Sequence, residues 1–146
     1  MVSERERVIA EAKSWIGTRY HTMARVKGAG VDCLMFLAEV YERAGVIPHV
    51  EIPYYPQDWH LHRHDERLMD GVLKFAHPVE TPKPGDIALW KFGRAFAHSA
   101  IVIEWPALVI HAVKPVGVVM DRADMAGLRF DRSGPREVRF FSPWNE

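Results

Sequence analysis

Cysteine is the scarcest chemistry in this sequence: the 146 residues contain a single one, Cys33. One thiol cannot close an intrachain disulfide, so no disulfide framework holds the fold. Net charge is equally absent. Lysine plus arginine and aspartate plus glutamate number 19 each, which removes a global electrostatic drive toward nucleic acid and leaves only local patches. No apolar run approaches the roughly 18 residues that span a bilayer, so membrane insertion is not expected. The opening stretch, "MVSERERVIAEAKSW", is charged and lacks the apolar centre of a signal peptide. The expectation is a chain made and folded in the cytoplasm and carried elsewhere by something other than its own leader. Internal repeats, low-complexity tracts and an interdomain linker are also missing, so residues 1–146 read as one domain with one core.

What is present is a globular balance, 48% hydrophobic and 26% charged, with eight histidines. Ser3 followed by Glu6 fits a capping box. Val8, Ile9, Ala12, Trp15 and Ile16 then recur at helical spacing up to Gly17. Residues 18–32 read as a loop. Residues 33–44, "CLMFLAEVYERA", read as a second helix, apolar over more than half its circumference and therefore largely buried; Gly45 and Pro48 end it. A proline-punctuated aromatic stretch, "IPYYPQDWHLHRHDE", reads as irregular, and a third helix is expected at about 65–76. After the turn "TPKPGD" the period changes. "DIALW", "HSAIVIE", "ALVIHAV", "GVVMDR" and "EVRFFS" are short strand-like runs, too closely spaced for crossover helices. An antiparallel sheet follows, and helices before strands make an α+β domain.

Cys33 stands where the glycine-containing loop "KGAGVD" gives way to the second helix. A helix start offers unpaired amides and partial positive charge. A free thiol with a pKa near 8.5 is only about 3% ionised at pH 7, and such a position can lower that pKa into the roughly 3.5–7.5 range. The same amides can receive an oxyanion. The plainer reading is a small buried hydrophobe, since free cysteine is among the most buried residue types. Asp32 reads first as the helix cap. A nucleophile needs a base held by a third group. His98 opens one strand-like run and His111 lies within the next, and a short connection around Glu104–Ala107 would bring them together. A histidine on an apolar strand is also a common satisfied core group.

In order along the chain, "GTRY", "GVDC" opening a helix, "PGDIALW", "AHSAIVIE" and "VIHA" resemble the signatures of the NlpC-type cell-wall cysteine peptidases, over about residues 15–120. The resemblance implies a papain-like α+β fold with N-terminal helices on a C-terminal antiparallel sheet. It implies Cys33 as nucleophile, His98 as general base and His111 as the group orienting His98. Tyr20 would help bind the oxyanion; the residues themselves, apart from the resemblance, offer Asp32 and Trp59 as further candidates beside the substrate. The implied reaction is hydrolysis of a peptidoglycan stem peptide, commonly between D-glutamate and a diamino acid, with no metal or organic cofactor, and activity falling as the histidine pair protonates. "KGAGVDCL" and "YYPQDWHLHR" resemble the branch carried by phages and phage-like particles, which implies delivery on a virion or phage tail and tail proteins as partners. Leu34 and Met35 depart from the small residue usual after the nucleophile, and Ala97 from the glycine usual before the histidine; these put substrate choice in doubt.

Other readings compete. A phage-tail structural or assembly protein can keep this fold without turnover, and a papain-like amidase or acyltransferase can use the same three residues. His60, His62 and His64 alternate in "HLHRH" and would point one way in an extended segment. Zinc needs a closed ligand set with second-shell partners, so a solvated or substrate-lining loop is expected instead. Tyr54, Tyr55 and Trp59 would wall a groove or close the core. Five arginines between residues 122 and 139 make a basic segment, expected as a solvated face or as a docking surface on a particle.

Overall fold

The capping box at the N-terminus is formed: the Ser3 hydroxyl accepts from the Glu6 amide and the Glu6 carboxylate accepts from the Ser3 amide. It starts helix α1, Glu4–Ser14, in a computed structural model that describes residues 1–52 and 66–145. The chain continues as β1 (Arg25–Val26), β2 (Gly30–Val31), α2 (Cys33–Arg43), α3 (Arg67–Leu73), β3 (His77–Val79), β4 (Ile87–Phe92), β5 (Ala95–Glu104), β6 (Leu108–Val113) and β7 (Gly117–Asp121). It ends with α4 (Ala126–Arg129), β8 (Phe130–Asp131), β9 (Gly134–Pro135) and β10 (Val138–Ser142). The loop expected over 18–32 holds the small β1–β2 hairpin, and the third helix is shorter than its apolar spacing suggested.

The main sheet has six strands in the order β3-β10-β4-β5-β6-β7, every pair antiparallel. From β4 to β7 it is a meander; the last strand returns to lie between β3 and β4. Strand alternation serves two apolar layers. Ile87, Leu89, Ile101 and Ile110 join Trp15, Phe36, Leu37, Val40 and Tyr41 beneath the helices. Ala88, Trp90, Ala100, Val102 and Val109 pack on the other face with Ala123 and Leu128. Because both faces are covered, the strands read as nearly continuous apolar runs. Helix α2 is buried from Cys33 through Tyr41, which makes it the centre of the first layer; each large side chain so buried contributes about 1.5–3 kcal/mol.

The basic segment is folded, and several of its arginines have partners. Arg122 pairs with Asp124, Arg139 with Glu137, and the Arg136 guanidinium lies 3.7 Å from the Phe92 ring centroid. No described helix is long and apolar enough to cross a membrane. Tyr54, Tyr55, Trp59, His60, His62 and His64 lie outside the described residues.

Candidate active site

Asp32 is the N-cap of α2, with extended backbone and a side chain that accepts from the Met35 amide at 2.9 Å. Its second oxygen accepts from the Met23 amide at 2.7 Å. Met23 sits at φ 67, in the left-handed region, so one buried carboxylate both starts the helix and holds a strained turn of the preceding loop. That loop is docked from the other side by Gly117, at φ +120, where an added Cβ would stand 2.1 Å from the Thr18 carbonyl oxygen. The close approach lets Gly17 donate to Val118 and Val118 donate to Thr18. Tyr20 then bridges to Val31, one residue before the cap.

Cys33 follows the cap and is 7% exposed. Its thiol donates to the Ala97 carbonyl at 3.7 Å, and its own carbonyl accepts from the Ser99 hydroxyl at 3.2 Å. The sulfur-bearing residue is therefore held by the two chain neighbours of His98. The imidazole itself turns with the other layer: His98 lies opposite Trp90, with ring centroids 5.8 Å apart, and beside Phe92. A register shift after Trp90 leaves Ala97 without a partner in β4, which places the bulge of β5 next to the sulfur. Among the described residues no hydrogen bond joins Cys33 to His98.

His98 is joined to His111. Its Nε2 lies 2.8 Å from His111 Nδ1, and His111 Nε2 lies 2.9 Å from Asp121 Oδ2. Ile101 pairs with Ile110 across β5 and β6, so the two histidines share a face. The row of His98, His111 and Asp121 lines a cavity with Phe92, Lys114 and Leu128. Asp121 was not singled out from sequence. The signal was the β6–β7 hairpin: with His111 opposite Val119, a residue two further along falls on the diagonal and within reach of a long side chain.

The electrostatics correct one expectation. Burial pushes the Cys33 thiol up to about 12, Asp32 adds to that rise, and the Ser99 hydroxyl and the Leu34 and Cys33 amides oppose it. The helix start does favour the thiolate, but desolvation and a capping carboxylate outweigh it. His98 is pushed down to about 3 by burial, then by His111 and Arg136. His111 is lowered by burial, against the raising effect of Asp121. The resting state is thus a neutral thiol and two neutral imidazoles. Tyr20 is raised above its ordinary value by burial, then by Cys33 where that thiol is ionised and by the Asp32 carboxylate, so its phenol stays protonated and remains a donor. Leu34 and Met35 are 6% and 2% exposed; their bulk packs inward, and Leu34 reaches Gly71 of α3.

No family model matches the chain, and no curated protein matches its sequence. Solved structures do match. The NlpC/p60 domain of the peptidoglycan hydrolase SagA superposes with a TM-score of 0.58 at 20% identity, over 92% of this chain and 96% of that one. NlpC1 from Trichomonas vaginalis gives 0.64 at 16% identity, over 97% of this chain and 44% of the other. An NLP/P60 family protein from Staphylococcus aureus, described as similar to lipoprotein, gives 0.59 at 17% identity, over 93% and 40%. The chain thus spans nearly the whole SagA domain and less than half of the other two proteins. With its N-terminal helices, α2 the buried one, laid on a six-stranded antiparallel sheet, this chain has the papain-like α+β fold of NlpC/p60 domains.

Proposed function

We propose that the chain is a cysteine peptidase acting on peptidoglycan stem peptides, with Cys33 as nucleophile, His98 as general base and His111 orienting it. The observation that carries this reading is the 2.8 Å bond between His98 and His111 on a strand whose residue 97 holds the Cys33 thiol, within a fold shared with a peptidoglycan hydrolase domain.

Turnover begins when the thiol leaves the Ala97 carbonyl and meets His98. Apo catalytic bonds are commonly long or misaligned and tighten with substrate. Burial opposes each charge alone, but a thiolate and an imidazolium in contact compensate each other. Attack on the scissile carbonyl forms a carbon–sulfur bond and moves the thiol proton to His98. In this reading the Cys33 amide and the Tyr20 hydroxyl are the donors to the resulting oxyanion; losing one such donor costs about 10²–10³ in rate. His98 returns its proton to the leaving amine as the carbon–nitrogen bond breaks. Water, deprotonated by His98, then splits the thioester and regenerates the thiol. Asp32 acts through the cap and the Tyr20 loop. The proposed bond is D-glutamyl–diamino acid, and the proposed setting is a phage tail or phage-like particle, supported by the "KGAGVDCL" and "YYPQDWHLHR" motifs. Immunodetection of the chain in purified particles tests that setting.

The test of the reaction is mass spectrometry of products from purified muropeptides. Cleavage by the native chain, lost by at least about 10³-fold in Cys33→Ala with the fold retained, supports the proposal. A second reading has one observation in its favour: a thiol held by a carbonyl, with its pKa raised to about 12, also suits a non-catalytic tail protein. Muropeptides left intact by the native chain would select it. Transfer to acyl acceptors without muropeptide cleavage would select an amidase or acyltransferase.

A further inference from the structure

Beyond Cys33, His98 and His111, the row of polar groups has a fourth member with a directional property. Asp121 is a carboxylate, so at neutral pH it accepts hydrogen bonds and donates none. Its Oδ2 lies 2.9 Å from His111 Nε2, which requires the proton of His111 to sit on Nε2. A neutral imidazole carries one ring proton, so His111 Nδ1 is bare and accepts. The group facing it at 2.8 Å is His98 Nε2, which must then be the donor. His98 in turn carries its proton on Nε2, and its Nδ1 is bare.

We infer that Asp121 is a positioning residue that fixes both ring tautomers, leaving His98 Nδ1 unprotonated and so able to take the Cys33 proton. This rests on the peptidase reading given above. The opposite polarity would aim an imidazole lone pair at a carboxylate, two acceptors with no proton between them. The surroundings keep both rings neutral, as this inference requires. His111 is 2% exposed, and Phe92 and Leu128 form apolar walls of the cavity. Among charged groups, Arg136 opposes a proton on His98. Lys114 lines the same cavity, while Arg122 is bound to Asp124. Hairpin geometry explains the placement: Val109 pairs with Asp121 and His111 with Val119, so the carboxylate is the diagonal neighbour of the ring.

The direct test is nitrogen-15 NMR of the full chain labelled at histidine, at pH 7, with His98→Gln and His111→Gln used for assignment. The native chain should show a bare Nδ1 and a protonated Nε2 on both rings. Asp121→Asn presents an amide that can donate to His111 Nε2; both rings should then move to, or mix with, the Nδ1-protonated form. On muropeptides that variant should lose about 10²-fold or more in kcat with KM little changed, and Asp121→Glu should recover most of it. A native His98 protonated on Nδ1, or tautomers unchanged in Asp121→Asn, overturns the inference. Correct tautomers in a native chain that cleaves no muropeptide would sink the peptidase reading and leave the role of Asp121 in the ring network standing.

Discussion

Asp32 is the residue on which most local constraints converge. It caps α2, holds Met23 at positive φ and raises the neighbouring thiol. These roles oppose one another in part: the charge that makes a good cap disfavours the thiolate. Asp32→Asn should therefore lower the apparent thiol pKa, and alkylation of Cys33 by iodoacetamide across pH 7–10 should show the shift. Asparagine keeps one acceptor and loses the other, so the variant should also lose about 1–3 kcal/mol of stability in urea unfolding. An unchanged alkylation profile would mean that burial alone sets the thiol. At this scale the sequence was informative about identity and poor about environment. "GVDC" at a helix start marked Cys33 and its cap. That the sulfur would be 7% exposed and bound to a backbone carbonyl depends on β5, more than sixty residues away.

Among the elements, the loop between α1 and α2 is held from outside as much as by its own turns. Gly117 begins β7 and touches Thr18 backbone so closely that no side chain fits. Gly117→Ala combines a clash with a positive φ that L residues resist. It should cost about 2–4 kcal/mol, measured as a drop in the urea midpoint. It should also displace the Tyr20 segment, so the proposed muropeptide turnover should fall beyond the effect on stability; full activity in the folded fraction would show that the docking does not position Tyr20. The elements themselves were largely legible. α1, α2 and the β4–β7 meander follow from capping, helical spacing and strand-like runs. β3, α4 and the β8–β9 hairpin were not, because they are two to four residues long and carry too little periodicity to read. The placement of β10 between β3 and β4 is likewise a non-local choice.

For the whole molecule, buried histidines couple fold stability to pH. His98 and His111 both have folded pKa values below the ordinary 6.5. The unfolded chain therefore binds more protons than the folded one as pH falls below about 6.5. Stability from this source is complete above that value and declines as pH drops toward the folded value of His98, about 3. Melting temperature should fall between pH 6.5 and 4, and the fall should be shallower in His98→Gln; parallel slopes in the two proteins would refute the assignment. The proposed activity should keep its base well below pH 6.5, so its acid limb lies lower than an exposed histidine would give.

Sequence alone determined the units of this protein: a capped first helix, a buried second helix beginning at its only cysteine, and apolar runs that must form a sheet. These are local facts, set by periodicity, capping chemistry and side-chain volume. Tertiary structure alone decided which polar groups meet. It turned the Cys33 thiol to Ala97, linked His98 to His111, and closed the row on Asp121. Those contacts follow from strand register, a bulge in β5 and the burial that shifts each proton, and each depends on chain segments distant in sequence.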